Sequence, residues 1–316
     1  MSHTRPTIAI TSTTFSRTDS LIRELEEAGF RVVGNTEGKK LKGASLAAFF
    51  NDAEAEAVIV GIEPINDALL AACPRLKLIS KYGVGLDNLD LEAMARHGVL
   101  LGWSGGINRR SVSELVLGFA LGHCRNIARS LVKMRRGEWD KDGGRQFSNT
   151  TVGIVGFGHI GSDLAAVLKP FGCPVIYTDI LDKSKEASLL GATPATYEKL
   201  VAEADVISFH VPSTPLTRQM FGSREIARMK PTALVINTAR GDIVDFTTCC
   251  QAVRDGRLGG FAADVFPEEP VDVSHWSDVM GLYFTPHIGG NAREAVQAMG
   301  QAAIGHVVKF YRDNGR

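Results

Sequence analysis

The sequence predicts an α/β protein built of two doubly wound, parallel-sheet domains. Three observations predict it. Short apolar runs of strand length alternate with amphipathic helical stretches from residue 7 to residue 311. The 316 residues are more than one hydrophobic core commonly serves. One strand–helix junction carries three glycines, Gly156, Gly158 and Gly161, spaced for a tight turn. Strand–helix alternation implies parallel strands with helices on both faces, because a parallel neighbour is reached only through a crossover.

Residues 7–11 read as the first strand, and 21–28 as an amphipathic helix ended by Gly29. Residues 30–33 and 57–60 are further strands, with a helix at 46–51 between them. A helix at 69–72 is stopped by Pro74, and 76–80 is a strand that runs into Lys81-Tyr82-Gly83-Val84-Gly85-Leu86-Asp87. Glycines on both sides of Val84 leave N–H groups free to hold an anion, although the stretch taken alone reads better as a glycine-rich turn. Leu100 and Leu101 continue the sheet, 102–108 is a crossover, and 111–129 is one long helix leading to an exposed basic stretch at 133–139.

The segment 151–179 organises the rest. An apolar β-branched run, 151–155, leads into Gly156, Gly158 and Gly161; a helical pattern follows, and a second apolar run at 174–177 ends near Asp179. This is G-x-G-x-x-G in the strand–turn–helix setting of a Rossmann-type dinucleotide site. Gly156 permits the turn, Gly158 leaves room for a pyrophosphate, and Gly161 lets helix and strand pack closely. Free N–H groups at the helix start, those of His159 and Ile160, would meet the phosphates. Asp179 can accept from both adenosine ribose hydroxyls and repels a 2′-phosphate, and Ile180 and Leu181 follow it rather than an arginine. NAD is therefore expected over NADP, with Lys183 a weak contrary sign.

After Asp179 the alternation resumes with helices at 197–202, 224–229 and 247–254 and strands at 205–210, 233–237, 260–263 and 282–285. A closing helix, 292–311, is long enough to pack back onto the first domain. Several strands end in polar residues: His210 with Pro212, Thr238 with Arg240, Asp264 with Glu269, and His287. Sheet topology gathers such ends along one rim. There Arg240 can hold a carboxylate bidentately and polarise the carbonyl beside it. His287 can protonate the forming alkoxide or take the proton back, while Glu269 bonds its other ring nitrogen. Singly, each has a structural reading, as a turn arginine, a solvated loop acid or a packing histidine; together, beside a dinucleotide turn, they favour hydride exchange with an α-keto acid. His210 is a candidate for lining the cofactor cleft. His3, His97, His123, His275 and His306 read as surface or packing residues.

Formal net charge is zero, with 35 basic and 35 acidic residues, so nothing electrostatic favours nucleic acid or a membrane surface. No apolar run approaches the length of a bilayer span, and the first residues lack the pattern of a signal peptide. The five cysteines form no CxxC pair and read as reduced packing residues of a cytoplasmic protein. No His/Cys/Asp cluster has metal-ligand spacing, so no metal is expected.

The strings SKYGVGLDNLD (80–90), GFGHIG (156–161), HVPSTPLT (210–217), NTARGDIVD (237–245), AADVFPEEP (262–270) and TPHIGG (285–290) resemble those of the D-isomer-specific 2-hydroxyacid dehydrogenases, particularly the phosphoglycerate dehydrogenase-like branch. The resemblance implies catalytic roles for Arg240, Glu269 and His287, and substrate-carboxylate binding by the amides of Val84 and Gly85 with Arg240. It implies NAD contacts from His159, Ile160, Asp179, Thr238 and Asp264, the last directed at the carboxamide. It further implies a flavodoxin-like substrate domain, 1–101 and 288–316, around a Rossmann domain, 102–287. A homodimer through about 111–147 and a 2-keto/2-hydroxy acid substrate of the 3-phosphoglycerate or glyoxylate/hydroxypyruvate type complete the expectation.

Gly61-Ile62-Glu63 stands where phosphoglycerate enzymes tend to supply a basic residue for the phosphate, and an acid there would repel one. No appended regulatory domain is expected after the closing helix. From another class, an NAD(H)-sensing regulatory protein on the same fold, with little turnover, is the alternative.

Overall fold

The computed structural model describes residues 5–315, so His3 lies outside the described residues. The chain divides into two compact units. One runs to Asn108 and resumes at Asn291; the other is Arg109–Gly290. The crossings thus fall at 108–109 and 290–291 rather than at 101–102 and 287–288.

The first unit holds a five-stranded sheet: β1 (Thr7–Ile10), β2 (Arg31–Gly34), β3 (Ala57–Val60), β4 (Leu78–Lys81) and β5 (Leu100–Gly102), in the order β2-β1-β3-β4-β5. Every pairing is parallel. Period-two alternation splits the core between the sheet's faces. Ala9, Val58, Val60 and Ile79 pack with Leu46, Phe50, Leu69 and Leu70 on one face. On the other, Ile8, Ile10, Ile59 and Leu78 pack with Leu21, Leu25, Ala303, Ile304 and Val307. The last three belong to the closing helix, Arg293–Asp313, which therefore completes this unit's core. Gly300 lets that helix pack closely, since a Cβ there would lie 2.2 Å from the Leu21 side chain.

The second unit holds seven parallel strands, in the order β12-β11-β10-β9-β6-β7-β8. They are β6 (Val152–Val155), β7 (Val175–Thr178), β8 (Ala192–Pro194), β9 (Val206–Phe209), β10 (Leu234–Asn237), β11 (Gly260–Ala263) and β12 (Leu282–Phe284). The strand order reverses at β6, which pairs with β7 on one side and β9 on the other. Ligands of open parallel sheets bind beyond the carboxyl ends at such a point.

Three local expectations change. The helix expected over 111–129 is two helices, Arg109–Cys124 and Ile127–Arg135. The break is at Asn126, which adopts φ +52°, a left-handed conformation that asparagine tolerates better than most residues. Arg145 N then bonds the freed Cys124 carbonyl at 2.8 Å. The basic stretch at 133–139 is accordingly helical as far as Arg135. Helix Ser184–Leu190 and the edge strand β8 were not anticipated, because the strand is three residues long and ends on a proline. All five cysteines are buried with free thiols. Burial pushes the Cys250 thiol up to about 12. No helix among the described residues is long and apolar enough to cross a membrane, and they contain no cluster of metal-ligating side chains.

Candidate active site

At the switch point, β6 runs into Gly156 at φ +92°, and helix His159–Leu168 starts immediately after Gly158. Each glycine has a separate reason. A Cβ on Gly156 would lie 2.6 Å from the His210 carbonyl oxygen, and one on Gly161 would lie 2.1 Å from the Gly156 carbonyl oxygen. A Cβ on Gly158 would meet nothing within 4 Å, so the space before it is left open. Asp179 braces this turn: Oδ2 accepts from Phe157 N at 2.6 Å, and Oδ1 from Leu181 N at 2.9 Å. His159 is exposed and Ile160 half-buried at the helix start.

His210 ends β9. Its Nε2 meets Ser208 Oγ at 2.9 Å, while Nδ1 is buried without a partner. Burial lowers this imidazole to about 3. Pro212 follows, exposed. Thr238, after β10, is only 8% exposed, and its Oγ1 is also buried without a partner. Two unsatisfied buried polar atoms on the rim that carries the open glycine turn fit a bound dinucleotide, because such atoms are normally paired.

Arg240, Glu269 and His287 follow β10, β11 and β12, three adjacent strands whose spacing is about 4.8 Å each. The loops after them therefore lie side by side. Asn237 shapes the first: its Nδ2 donates to Arg240 O at 2.8 Å, and its Oδ1 accepts from Ala239 N at 3.1 Å. Arg240 Nη1 donates to Ala239 O at 2.6 Å. Gly241 follows because a Cβ there would lie 2.0 Å from the Phe266 backbone.

Glu269 and His287 are joined directly, with Oε2 at 2.8 Å from Nδ1. Glu269 Oε1 accepts from Phe266 N at 3.1 Å, so the carboxylate is itself held in place. His287 has φ +55°, uncommon for a residue with a side chain. Asp264 sustains it. This carboxylate, 1% exposed, accepts from Thr285 Oγ1 at 2.6 Å, Ile288 N at 2.8 Å and Gly289 N at 2.7 Å. It brackets His287 from both sides, and its oxygens are engaged by the loop rather than turned to solvent. Sequence reasoning missed this bracing, and missed Asn237 altogether; an asparagine at a strand end before a sharp turn was the available signal.

In the other unit, the stretch after β4 holds Val84 and Gly85. The Val84 carbonyl accepts from Trp103 Nε1 at 3.0 Å. Because the peptide is trans, the Gly85 N–H is directed to the opposite side. Glu63 lies beyond β3 in the same unit, its Oε2 accepting from Thr11 Oγ1 at 2.6 Å and from Gly61 N at 2.9 Å. Of the remaining described histidines, His275 is exposed and three hold structural contacts. His97 meets Asp67 at 3.2 Å, His123 meets the Tyr283 hydroxyl at 3.3 Å, and His306 lies between two serines.

Residues 117–289 match the family described as D-isomer specific 2-hydroxyacid dehydrogenase, NAD binding domain. The chain is 34% identical over 257 residues to the glyoxylate reductase of Thermococcus litoralis, a match covering 78% of each chain. It is 35% identical over 254 residues to the D-3-phosphoglycerate dehydrogenase of Haemophilus influenzae, covering 78% of this chain but only 61% of that one. Among solved structures, the D-lactate dehydrogenase of Aquifex aeolicus, complexed with NAD and lactic acid, superposes with a TM-score of 0.83 at 24% identity, over 97% of this chain and 96% of that one. At that identity the likeness speaks for the fold alone.

Proposed function

Since the chain belongs to the D-isomer specific 2-hydroxyacid dehydrogenases, which use NAD, we propose that it interconverts a 2-keto acid of the glyoxylate or hydroxypyruvate type with its D-2-hydroxy acid. The observation that carries this reading is the 2.8 Å pair of Glu269 and His287 on a rim shared with Arg240. NAD(H), when bound, supplies or takes the hydride. Gly156, Gly158 and Gly161, with the N–H groups of His159 and Ile160, would hold its pyrophosphate, and Asp179 its ribose. His210, Pro212 and Thr238 would line the remainder of its cleft.

Arg240 is assigned to the substrate carboxylate and to polarising the keto oxygen. The Val84 and Gly85 amides are assigned to the same carboxylate. Glu269 accepts from His287 Nδ1, which leaves Nε2 as the atom that gives a proton to the alkoxide, or removes one in the reverse direction. Asp264, expected at the nicotinamide carboxamide, is better supported as the brace of the His287 loop, since it is buried with three donors.

Glu63 supports an unphosphorylated substrate, because its carboxylate already takes the Thr11 hydroxyl and the Gly61 amide at a strand end and adds negative charge there. A cytoplasmic homodimer completes the proposal. Helix Ile127–Arg135 buries none of its side chains and exposes Ile127, Leu131 and Met134 on one face.

NADH oxidation measured with glyoxylate, hydroxypyruvate, pyruvate and 3-phosphohydroxypyruvate tests the substrate class. The expected result is the highest kcat/KM with one of the unphosphorylated acids. A much higher value for 3-phosphohydroxypyruvate than for hydroxypyruvate would contradict it.

A further inference from the structure

The loop that follows β4 is tied at its base by buried polar contacts. Lys81 Nζ donates to Asn88 Oδ1 at 3.0 Å and to the Gly61 carbonyl, while Asn88 Nδ2 donates to Glu63 O at 2.6 Å. These fix where the chain leaves and re-enters the sheet. They do not reach the tip, where Gly83 takes φ +117° and Val84 and Gly85 follow. The side chain that reaches the tip is Trp103, through its 3.0 Å bond to the Val84 carbonyl.

Trp103 is aimed by its own neighbours. Gly102 closes β5, and Trp103 and Ser104 follow it. Gly102 lies against His306, with a Cβ there only 2.5 Å from the histidine's Cβ, and Ser104 Oγ lies 3.1 Å from His306 Nε2. Ser80 Oγ donates to Ala303 O at 2.9 Å and stands 3.3 Å from His306 Nδ1. Its proton being committed, Ser80 accepts from Nδ1–H, and Nε2 accepts from Ser104. Residues 102 and 104 are thereby bolted to the closing helix. Trp103, between them, turns its indole to the Val84 carbonyl instead.

We infer that Trp103 is a positioning residue for the substrate's carboxylate: its indole N–H holds the Val84 carbonyl and so aims the Gly85 amide. This rests on the assignment of the loop amides to that carboxylate. A peptide group is planar, so fixing the carbonyl oxygen fixes the direction of the N–H across the same bond. Without the indole the peptide can rotate, and the amide must be ordered anew each time the carboxylate binds. Such a cost falls on substrate binding and leaves the proton and hydride steps untouched.

Trp103→Phe keeps an aromatic ring at the position but removes the indole N–H together with the five-membered ring that carries it. Its kinetics with hydroxypyruvate and glyoxylate should show KM raised by about threefold to tenfold, the range of one hydrogen bond. Its kcat, NADH affinity and Tm should match the wild type. In parallel, oxamate, a keto-acid isostere, is titrated into the NADH-loaded protein while tryptophan emission is followed, with Trp103→Phe giving the background of Trp139 and Trp276. A quench present in the wild type and lost in the variant, with raised KM, supports the inference. If the quench depends on Trp103 but KM does not change, the inference is overturned while the loop assignment stands. If neither responds, the loop assignment fails and the inference with it. A lowered Tm with unchanged KM would make Trp103 a packing residue and also overturn it.

Discussion

Glu269→Gln is the perturbation whose size the geometry bounds most closely. Glutamine preserves shape and can still accept from His287 Nδ1, but it carries no charge. In the proposed reaction, oxidation of a D-2-hydroxy acid would put a proton and positive charge on His287, whose Nδ1 lies 2.8 Å from the Glu269 oxygen. Unit charges about 4 Å apart attract by about 1 kcal/mol in water and about 4 kcal/mol at an effective dielectric constant of about 20. The two side chains are 54% and 38% exposed, so solvent screening places the pair in the lower half of that range. A loss of about 1 to 2.5 kcal/mol corresponds to a kcat lower by about fivefold to seventyfold. The assay is NADH formation from NAD and D-glycerate or glycolate, together with NADH affinity by fluorescence titration. NADH affinity should be unchanged. A kcat within about twofold of wild type would refute the reasoning.

The glycine turn gives a paired test. Gly161→Ala drives a Cβ to 2.1 Å from a backbone oxygen and should destabilise the protein by about 1–3 kcal/mol in chemical denaturation. Gly158→Ala meets no protein atom, and its φ of −83° suits any residue. It should leave Tm unchanged yet weaken NADH by about tenfold or more, about 1.4 kcal/mol. Equal Tm for the two variants would contradict the separate roles given to these glycines. His210 makes stability depend on pH. An unfolded histidine binds its proton near pH 6.5, whereas His210 does so near 3. The neutral ring's contribution is therefore complete above pH 6.5 and is lost as pH falls from 6.5 towards 3. Between pH 7 and 5 the loss is about 2 kcal/mol, and denaturation curves of His210→Gln should lack it; the same pH response in both proteins would contradict this.

Most strands were legible because they are short runs rich in Val, Ile, Leu or Ala, as in 57–60 and 152–155. The glycine turn was legible because steric demands leave only glycine at Gly156 and Gly161. What sequence reasoning lacked was partner choice between residues distant in the chain. Asp264 and Thr285 are 21 positions apart, and nothing local shows that one carboxylate gathers a hydroxyl and two amides from the loop around His287. The break at Asn126 was hidden for a related reason. Its flanks are both helical in pattern, and the break is secured by Arg145, 19 residues on. Trp103 likewise reads as an isolated aromatic until the fold brings it to Val84.

Movement of the proton is assigned to the imidazole of His287. His287→Ala, assayed for hydroxypyruvate and glyoxylate reduction alongside an NADH titration, tests it most directly. NADH binding should match the wild type, with reduction slowed by about 10³, within the range of a lost general acid. Turnover within about tenfold of wild type would contradict it.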